Sequence, residues 1–354
     1  MDKKNNIVAI GGRTGPSLIA KGFYGDQDYN ITAIVAVSDS GSSTGVIRRN
    51  FDTPAVGDIR TVITELADMS GPLNLLKELF EFRFKPKDSK DMEKMALGNL
   101  FLTALTKWGE EAYGLTTEDS FKRAVKLTGE MFHIKGNVFP VTADNIHLCA
   151  ELEDGSIKVE ELNVRQENKP GIKEIFFQDA RTKKRISPQI LPECKAAIEE
   201  ADLIVIGPGG LYCSILACLA IEEIIKACQK TTARKIYIAN TTTQPGQTDN
   251  YTILDHVREI NRYLDLDYVL INTYVPSNEI LDTFSKANLH YMPLTKGDLI
   301  SIKEMGITPI TKNLIDENKT KPDFTKHKMD TIPHDVIKVS RTIRELCCVP
   351  CLQV

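Results

Sequence analysis

The stretch IVAIGGRTGPS, residues 7–17, decides the fold because it joins a short apolar run to a glycine turn and a proline. Residues 7–10 predict a strand, and Pro16 suits the first turn of a helix, where its missing N–H would be unpaired anyway. Residues 31–37 are almost entirely apolar and rich in β-branched side chains, which is typical of a strand buried on both faces of a parallel sheet. This strand–turn–helix–strand order predicts a βαβ unit.

The same pattern of an apolar strand followed by a loop recurs later in the chain. Residues 203–206, 235–240 and 268–272 each predict a strand that ends in a polar or glycine-rich loop. Residues 138–190 differ, because two strand-like segments there flank Asp154-Gly155 in the pattern of a β-hairpin. We therefore predict an α/β fold: Rossmann-like, with a mainly parallel sheet, helices on both faces and an inserted β-rich subregion.

The predicted domain organisation is simple, since no linker divides the chain convincingly. We expect a single Rossmann-like domain over residues 1–346, containing the inserted subregion at approximately 138–190, and a C-terminal tail over 347–354. Cys348 and Cys351 in that tail are only half of a zinc site, so we expect no metal or redox function there.

The composition is that of an ordinary globular protein, with 42% hydrophobic and 26% charged residues among 354. A formal net charge of -4 provides no global positive field for nucleic acid. No segment approaches the roughly 18 to 20 apolar residues of a membrane span, and the N-terminal apolar run is too short for a signal peptide. We expect a cytoplasmic protein without nucleic-acid partners or membrane spans, and the sequence leaves a homo-oligomer open.

Five predicted strands end in loops rich in Gly, Ser, Thr, Asp or Asn, and in open α/β sheets such loops converge on a ligand. In the first loop, glycines allow close approach of an oxyanion, and the following helix offers its N-terminus to negative charge. A plain tight turn is the alternative. The spacing is neither that of a dinucleotide-binding motif nor that of a P-loop, which disfavours nicotinamide and P-loop ATPase functions. The candidate ligand-binding residues here are Gly11, Gly12, Arg13, Thr14 and Gly15.

The second loop follows the strand at 31–37 and begins with Asp39, placed where an acid can accept a hydrogen bond from a ribose hydroxyl or hold a metal ion. Mg²⁺ is the one cofactor that this position leaves open, and no other is predicted. Hydroxyl groups and glycine amides further along can surround a phosphate, and Arg48 can add charge-assisted bonds, unless the segment is only a surface loop. The candidate hydroxyl residues are Ser42, Ser43 and Thr44.

The remaining loops contribute candidates of several chemical types. A helix is predicted to be capped by Asp58 and another to begin near Asn99. The glycine turn after residues 203–206 is as compatible with a bare turn as with an anion site, and the polar loop at 240–249 suits sugar or base edges. The further ligand-binding candidates are Asp58, Arg60, Asn99, Gly207, Gly209, Tyr212, Asn240 and Gln244.

Other catalytic arrangements are poorly supported by the sequence. His133, His147 and His256 have no HExxH or HxH partner, so we expect them to be structural. Ser43 fits the letters of a Gly-x-Ser-x-Gly elbow but lies several residues past the strand, which disfavours a hydrolase nucleophile.

Several segments together resemble the CofD/YvcK family. They are IGGRTGPS (10–17), ITAIVAVSDSGSSTG (31–45), GDIR (57–60), LGNL (97–100), ADLIVIGPG (201–209) and TQPGQTD (243–249). The last of these makes the chain more similar to the gluconeogenesis-factor branch than to the 2-phospho-L-lactate transferase branch. Arg13 and Gly210 depart from the family pattern, which has glycine and serine at these positions.

The resemblance implies a function as well as a fold. The gluconeogenesis-factor branch implies binding of a UDP-sugar such as UDP-N-acetylglucosamine and a regulatory role in carbon metabolism and cell-wall morphogenesis. The glycine loop and Ser43 would then meet phosphates, Asp39 the ribose or sugar, and Asn240 and Gln244 the base or sugar. The transferase branch implies the alternative, a Mg²⁺-dependent transfer of a phospholactyl-type group from a nucleotide donor to a deazaflavin-like acceptor, with Asp39 as the one catalytic candidate.

Overall fold

The computed structural model describes residues 4–67, 73–85, 92–167, 169–317 and 331–348, with the backbone alone described at Ser42 and Cys348. The predicted tail therefore lies outside the described residues from 349 onward. Its first two residues belong to the last helix, which ends at Cys348.

The described residues contain eleven strands. They are β1 Asn5–Gly11, β2 Tyr29–Val35, β3 Asn137–Pro140, β4 Ile146–Leu152, β5 Ile157–Val159, β6 Ile172–Asp179, β7 Arg185–Ile186, β8 Leu203–Ile206, β9 Arg234–Ile238, β10 Tyr268–Asn272 and β11 Thr308–Lys312.

The same residues contain fourteen α-helices and one π-helical turn, Leu211–Ile215. The helices are α1 Thr14–Gly22, α2 Ser42–Phe51, α3 Gly57–Glu65, α4 Leu73–Glu81, α5 Leu97–Tyr113, α6 Thr117–Met131, α7 Glu161–Val164, α8 Pro192–Glu199, α9 Leu216–Leu219, α10 Glu222–Lys230, α11 Ile253–Asn261, α12 Asn278–Ser285, α13 Lys296–Glu304 and α14 Val336–Cys348. None of these described helices combines the length and apolar character that a membrane crossing requires.

Seven strands form one parallel sheet in the order β11-β10-β9-β8-β1-β2-β3. Its central strands are uniformly apolar because helices cover both faces, and every residue from Ile7 to Ile10 is at most 1% exposed. The predicted Rossmann-like α/β fold is confirmed.

The order of the strands places a topological switch point at β1. The chain runs from β1 to β2 and β3 on one side, and later returns to β8 on the other side of β1. Connections leaving β1 and β8 therefore diverge, and ligands of open α/β sheets bind in the crevice that such divergence creates at the carboxyl ends of the strands. The loops at 11–15 and 207–212, which follow β1 and β8, border this crevice.

A second, antiparallel sheet in the order β5-β4-β6-β7 lies within the predicted insertion. The predicted hairpin is confirmed by the pairing of β4 with β5, and Gly155 supplies the left-handed backbone of its turn, with φ 80°. However, β3 pairs with β2 in the parallel sheet, with Val138 opposite Ala33, so the antiparallel sheet begins only at β4. The segment that forms β3 is short and apolar, so its sequence does not indicate which of the two sheets it joins.

Candidate ligand site at the switch point

Backbone from distant parts of the chain meets at the carboxyl ends of β1 and β8. A methyl group added at Gly15 would lie 2.6 Å from the carbonyl carbon and oxygen of Gly207 and 2.8 Å from the Pro208 carbonyl oxygen. One added at Gly12 would lie 2.6 Å from Ser214 Oγ and 2.8 Å from Asp58 Oδ2. Side chains are therefore excluded from both positions, and the N-terminus of α1 abuts the loop that follows β8.

The loop that follows β2 joins the same group of residues through Asp39. A methyl group added at Gly57 would lie 2.4 Å from Asp39 Oδ2 and 2.6 Å from Thr44 Oγ1, while Asp39 Oδ1 accepts a 2.8 Å hydrogen bond from the Gly41 amide. We call the set formed by residues 11–15, Asp39, 57–58 and 207–214 the switch-point site. It unites three loops that the sequence analysis predicted to converge.

The carboxyl group of Asp58 is electrostatically unusual within this site. Burial, followed by the nearby charge of Asp39, raises its pKa to about 7, and Arg13 opposes this rise. Asp58 lies in the first turn of α3, whose N-cap is Val56, so the prediction that Asp58 caps the helix was wrong. Its position beside Gly12 makes it part of the site.

Arginine side chains add positive charge near the two carboxylates. Arg60 is 8% exposed, and burial lowers its pKa to about 10, with Arg83 and Arg13 lowering it further. The Nη atoms of Arg60 donate to the Phe80 carbonyl and the Thr61 hydroxyl, at 3.4 and 3.2 Å. Its Nε has no hydrogen-bond partner in the described structure. Besides burial, the charge of Arg13 lowers the pKa of both Arg60 and Arg83, so the three side chains lie near one another. Such a cluster of positive charges favours a ligand with several negative charges.

Two of the three predicted hydroxyl residues of the second loop, Ser43 and Thr44, are buried in the protein interior. Ser43 Oγ accepts hydrogen bonds from the Ala96 amide at 3.0 Å and from Asn99 Nδ2 at 3.1 Å. Asn99 Nδ2 also lies 3.3 Å from Thr44 Oγ1, and Ser43, Thr44 and Asn99 are all buried. Ser42 is the first residue of α2, and its side chain lies outside what is described. Direct ligand contact by these residues stays a prediction, and their observed contacts fix α2 against α5.

The loop after β8 is held by amide side chains from the loop at 240–249. Asn240 Oδ1 accepts from the Gly209 amide at 3.1 Å, and its Nδ2 donates to the Gly209 carbonyl at 2.7 Å. Gln247 Oε1 accepts from the Cys213 amide at 3.1 Å, and Gln244 is also buried. Asn240 therefore retains only one N–H and one lone pair for a ligand. Its predicted contact with a base or sugar remains a prediction.

The chain leaves β8 through a left-handed Gly207, with φ 66°, and enters the π-helical turn. Single π-helical turns occur frequently at functional sites. Tyr212, in that turn, is 1% exposed and its hydroxyl lies 2.7 Å from that of Tyr251, so it packs inside the fold. The turn also positions Ser214 beside Gly12.

The inserted sheet region reaches the second loop through α7. Glu161 Oε2 lies 3.5 Å from the Ser40 amide nitrogen, and Ser40 Oγ accepts from the Leu162 amide at 3.1 Å. Arg165 pairs with Glu161 at 2.7 Å. Burial and then the charge of Asp39 raise the pKa of Glu161. The insertion is therefore in electrostatic contact with the switch-point site.

Arg48, predicted to add charge-assisted bonds to a ligand, is hydrogen-bonded to protein groups in the described structure, and its contact with a ligand stays a prediction. Its Nη1 donates to the Asp39 carbonyl oxygen at 3.1 Å, and its Nε and Nη2 donate to Asn145 Oδ1 at 3.0 and 2.9 Å. The guanidinium thus joins the second loop to the inserted region.

The predicted structural histidines divide into two kinds. His147 and His256 are buried, and burial is the main cause that lowers the pKa of each to about 4. One ring nitrogen of each has no hydrogen-bond partner in the described part of the chain. His133 is instead exposed and has a left-handed backbone, with φ 48°.

Two carboxylates of the switch-point site, Asp39 and Asp58, are the candidates for holding a metal ion. No group of three or more His, Cys, Asp or Glu residues suitable for a metal occurs among the described residues. Mg²⁺ commonly binds through one or two carboxylates together with substrate phosphates, so Asp39 and Asp58 fit such an ion.

Sequence reasoning missed Ser214, Arg83, Glu161, Arg165 and Gln247. The i,i+4 spacing of Glu161 and Arg165 signals an ion pair on a helix, but nothing in the sequence places that helix beside Ser40.

A cavity of about 820 Å³ lies near the amino ends of β1, β2 and β3. Ligands of this fold class bind at the opposite, carboxyl end of the sheet.

The fold and the convergent loops define a Rossmann-like α/β protein with a site at its switch point, and comparison with known proteins gives the family. Residues 7–315 match the family described as 2-phospho-L-lactate transferase CofD, and the chain belongs to the CofD family.

Several relatives of the chain are named gluconeogenesis factors. The gluconeogenesis factor of Bacillus subtilis is 34% identical over 349 residues, which is 98% of this chain and 99% of that protein. The gluconeogenesis factor of Listeria monocytogenes is 32% identical over 334 residues, covering 94% of each. A crystal structure of a UPF0052-family protein from Bacillus halodurans superposes with a TM-score of 0.81 at 31% identity, over 97% of this chain and 100% of that one. The chain is thus similar to gluconeogenesis factors over nearly its full length.

Proposed function

We propose that this protein is a cytoplasmic regulatory factor that binds a UDP-sugar, such as UDP-N-acetylglucosamine, at the switch-point site. Its role would lie in carbon metabolism and cell-wall morphogenesis. The observation that carries the proposal is the approach of Gly15 to the backbone of Gly207 and Pro208, which brings the N-terminus of α1 into the crevice between β1 and β8. Helix N-termini in such crevices bind phosphate groups.

The surrounding residues suit the parts of a nucleotide-sugar. Arg13, Arg60 and Arg83 supply positive charge for a pyrophosphate. Asp39, in the loop after β2, stands where the acid of this fold class accepts a hydrogen bond from ribose. A protonated Asp58 beside Gly12 would accommodate a phosphate without charge repulsion.

A second candidate function is a CofD-like transferase that moves a phospholactyl-type group from a nucleotide donor to a deazaflavin-like acceptor. The neighbouring carboxylates of Asp39 and Asp58 favour it, since Asp39 Oδ2 lies against Gly57, the residue that precedes Asp58, and, after burial, the charge of Asp39 helps to raise the pKa of Asp58. With a Mg²⁺ ion bound there, the ion would neutralise phosphate charge. The arginines and the helix N-terminus would orient the donor.

The two candidates differ in their ligands, so a binding panel separates them. Thermal unfolding is measured with UDP-N-acetylglucosamine, GDP, NAD and a deazaflavin, each with and without Mg²⁺. A ligand at 100 times its Kd stabilises by about 2.7 kcal/mol. We expect stabilisation by the UDP-sugar and none by NAD. Turnover of a guanylated phospholactate with a deazaflavin would contradict the regulatory proposal in favour of the transferase.

Two arginine variants locate the binding. Arg13→Gln should weaken UDP-N-acetylglucosamine binding at least tenfold, because one charge-assisted contact is worth about 1.5 to 3 kcal/mol. Arg258→Gln, an exposed arginine on α11, is the matched control and should bind as the unmodified protein does. Equal affinities for all three proteins would place the ligand away from the switch-point site.

A further inference from the structure

A second, smaller cavity of about 330 Å³ lies between α2 and the inserted antiparallel sheet. Its lining includes Arg48, Arg49, His147, Arg181 and Lys183, and we call it the arginine cavity. Two carboxylates, Asp52 and Glu160, also line it, so its four Arg and Lys cations leave an excess of two positive charges over the carboxylates. A cavity of this kind suits a small dianion.

One wall of the arginine cavity is fixed before any ligand arrives. Arg48 is 5% exposed, and its guanidinium is held by Asn145 Oδ1 and by the carbonyl oxygens of Asp39 and Ile146. A cation already positioned by the fold loses little conformational entropy when an anion binds beside it. Arg49 and Lys183 are exposed and complete the positive rim.

His147 helps to position a second cation of the arginine cavity, Lys183. His147 is 7% exposed, and its Nε2 lies 3.2 Å from Lys183 Nζ. An ammonium group only donates, so Nε2 accepts and the proton of the neutral ring lies on Nδ1. Nδ1 has no hydrogen-bond partner in the described structure, since the nearest acid, Glu160, has its Oε1 3.9 Å away. Nδ1 is closed to solvent, so the contact that faces a ligand is the ammonium group of Lys183, which His147 Nε2 holds at the cavity.

We propose that the arginine cavity is a second anion site, separate from the switch-point site, for a small phosphate monoester such as a phosphorylated metabolite. A monoester carries the two negative charges that balance the cavity. The volume lies at the lower end of the range for ligand pockets, which suits a small metabolite better than a nucleotide-sugar.

The two sites share the loop at 38–45. Ser40 and Gly45 line the arginine cavity, while Asp39 faces Gly57 in the switch-point site and its carbonyl oxygen binds Arg48. A ligand that shifts this loop changes the affinity of the other site, and the effect is reciprocal. This coupling rests on the proposed function, whereas binding in the arginine cavity does not.

Calorimetric titration with inorganic phosphate and with glycerol phosphate, at constant ionic strength, tests the site. The double variant Arg49→Gln/Lys183→Gln should weaken binding at least tenfold, which corresponds to about 1.4 kcal/mol. Lys184→Gln removes the charge of an exposed neighbour that does not line the cavity, and it should change the affinity less than twofold. Lys183→Arg, which retains the charge, should bind more tightly than Lys183→Gln.

Three results would overturn the site. They are unchanged binding in the double variant, equal weakening by Lys184→Gln, and loss of phosphate binding in Arg13→Gln with retention in the double variant. The last result would place phosphate in the switch-point site. Melting curves of each variant are recorded first, and the single variant Arg49→Gln replaces the double one if the latter is not folded.

The coupling has a separate readout. Glycerol phosphate should change the Kd of UDP-N-acetylglucosamine at least threefold in the unmodified protein and leave it unchanged in the double variant. If the nucleotide-sugar does not bind at all, the proposed function fails while the phosphate titration still decides the arginine cavity. If it binds with the same Kd in both proteins at all phosphate concentrations, the coupling is wrong.

Discussion

The switch-point site and the arginine cavity adjoin the same loop, yet they are built from different parts of the chain. The switch-point site depends on positions that lack a side chain, because backbone atoms approach Gly15 to 2.6 Å. The arginine cavity depends on long charged side chains, one of which is buried and bonded on several sides. Stability at the first site therefore depends on close backbone packing, and at the second on satisfied polar groups.

The largest effect is expected from Arg48, since it is the buried member of a pair of adjacent arginines. Arg48→Met should lower the free energy of unfolding by about 3 kcal/mol, because Asn145 Oδ1 and two carbonyl oxygens lose their donor. Arg49→Met is the matched control and should change it by less than about 0.5 kcal/mol, because Arg49 is exposed. Urea denaturation measures both, and similar losses in the two variants would contradict the distinction.

A slightly smaller effect is expected from adding one methyl group to the glycine site. Gly15→Ala should cost about 2 to 3 kcal/mol, because the atoms it meets at 2.6 Å belong to rigid backbone. Gly209→Ala places its methyl group 3.8 Å from the nearest atom, Ser214 Cβ, and should be tolerated. Thermal unfolding of both variants provides the measurement, and an unchanged melting temperature for Gly15→Ala would show that the two loops do not meet as described.

The titration of Asp58 offers a test in the switch-point site. Its pKa is raised to about 7 in the folded protein from 3.8, so its contribution to stability falls as the pH rises from about 4 through 7. Asp58→Asn, measured with a chelator present, should therefore be more stable than the unmodified protein at pH 8 and similar to it near pH 4. An equal difference at both pH values would contradict the raised pKa.

His147, in the arginine cavity, should respond to pH in the opposite direction. Its pKa is lowered to about 4 from 6.5, so the unfolded chain binds the proton more readily and stability is lost as the pH falls from 6.5 towards 4. His147→Gln should reduce this acid-side loss by about 1 kcal/mol. Urea denaturation at pH 4.5 and 7 measures the slope, and an unaltered slope would mean that His147 titrates normally.

The smallest effect concerns Ser214, which the sequence analysis did not select. Ser214→Ala should leave the melting temperature almost unchanged and weaken UDP-N-acetylglucosamine binding by about threefold to tenfold, the value of one hydrogen bond. Ser301→Ala, on α13, is the control. Unchanged affinity for Ser214→Ala would remove this hydroxyl from the ligand-binding surface.

The sequence predicted the parallel sheet because its strands are uninterrupted apolar runs. The glycine-rich loops that follow these strands placed the candidate site at their carboxyl ends. The sequence could not predict which polar side chains turn inward. Ser43 and Asn99 look like ligand contacts in the sequence, but inside the protein Asn99 Nδ2 donates to Ser43 Oγ. Glu161 and Arg165 were missed for a related reason, since their approach to Ser40 depends on how the inserted sheet packs. Local patterns reveal backbone conformation, whereas these contacts are long-range.

The distance along the chain between the two halves of the switch-point site affects its formation during synthesis. The thiol of Cys218 donates to the carbonyl oxygen of Gly11, 207 residues earlier. At a typical elongation rate, about 10 to 40 s separate the appearance of these two segments from the ribosome. The nascent N-terminal half therefore emerges with its first glycine loop still lacking the backbone that will close against it. Newly made chains should acquire ligand affinity only late in translation.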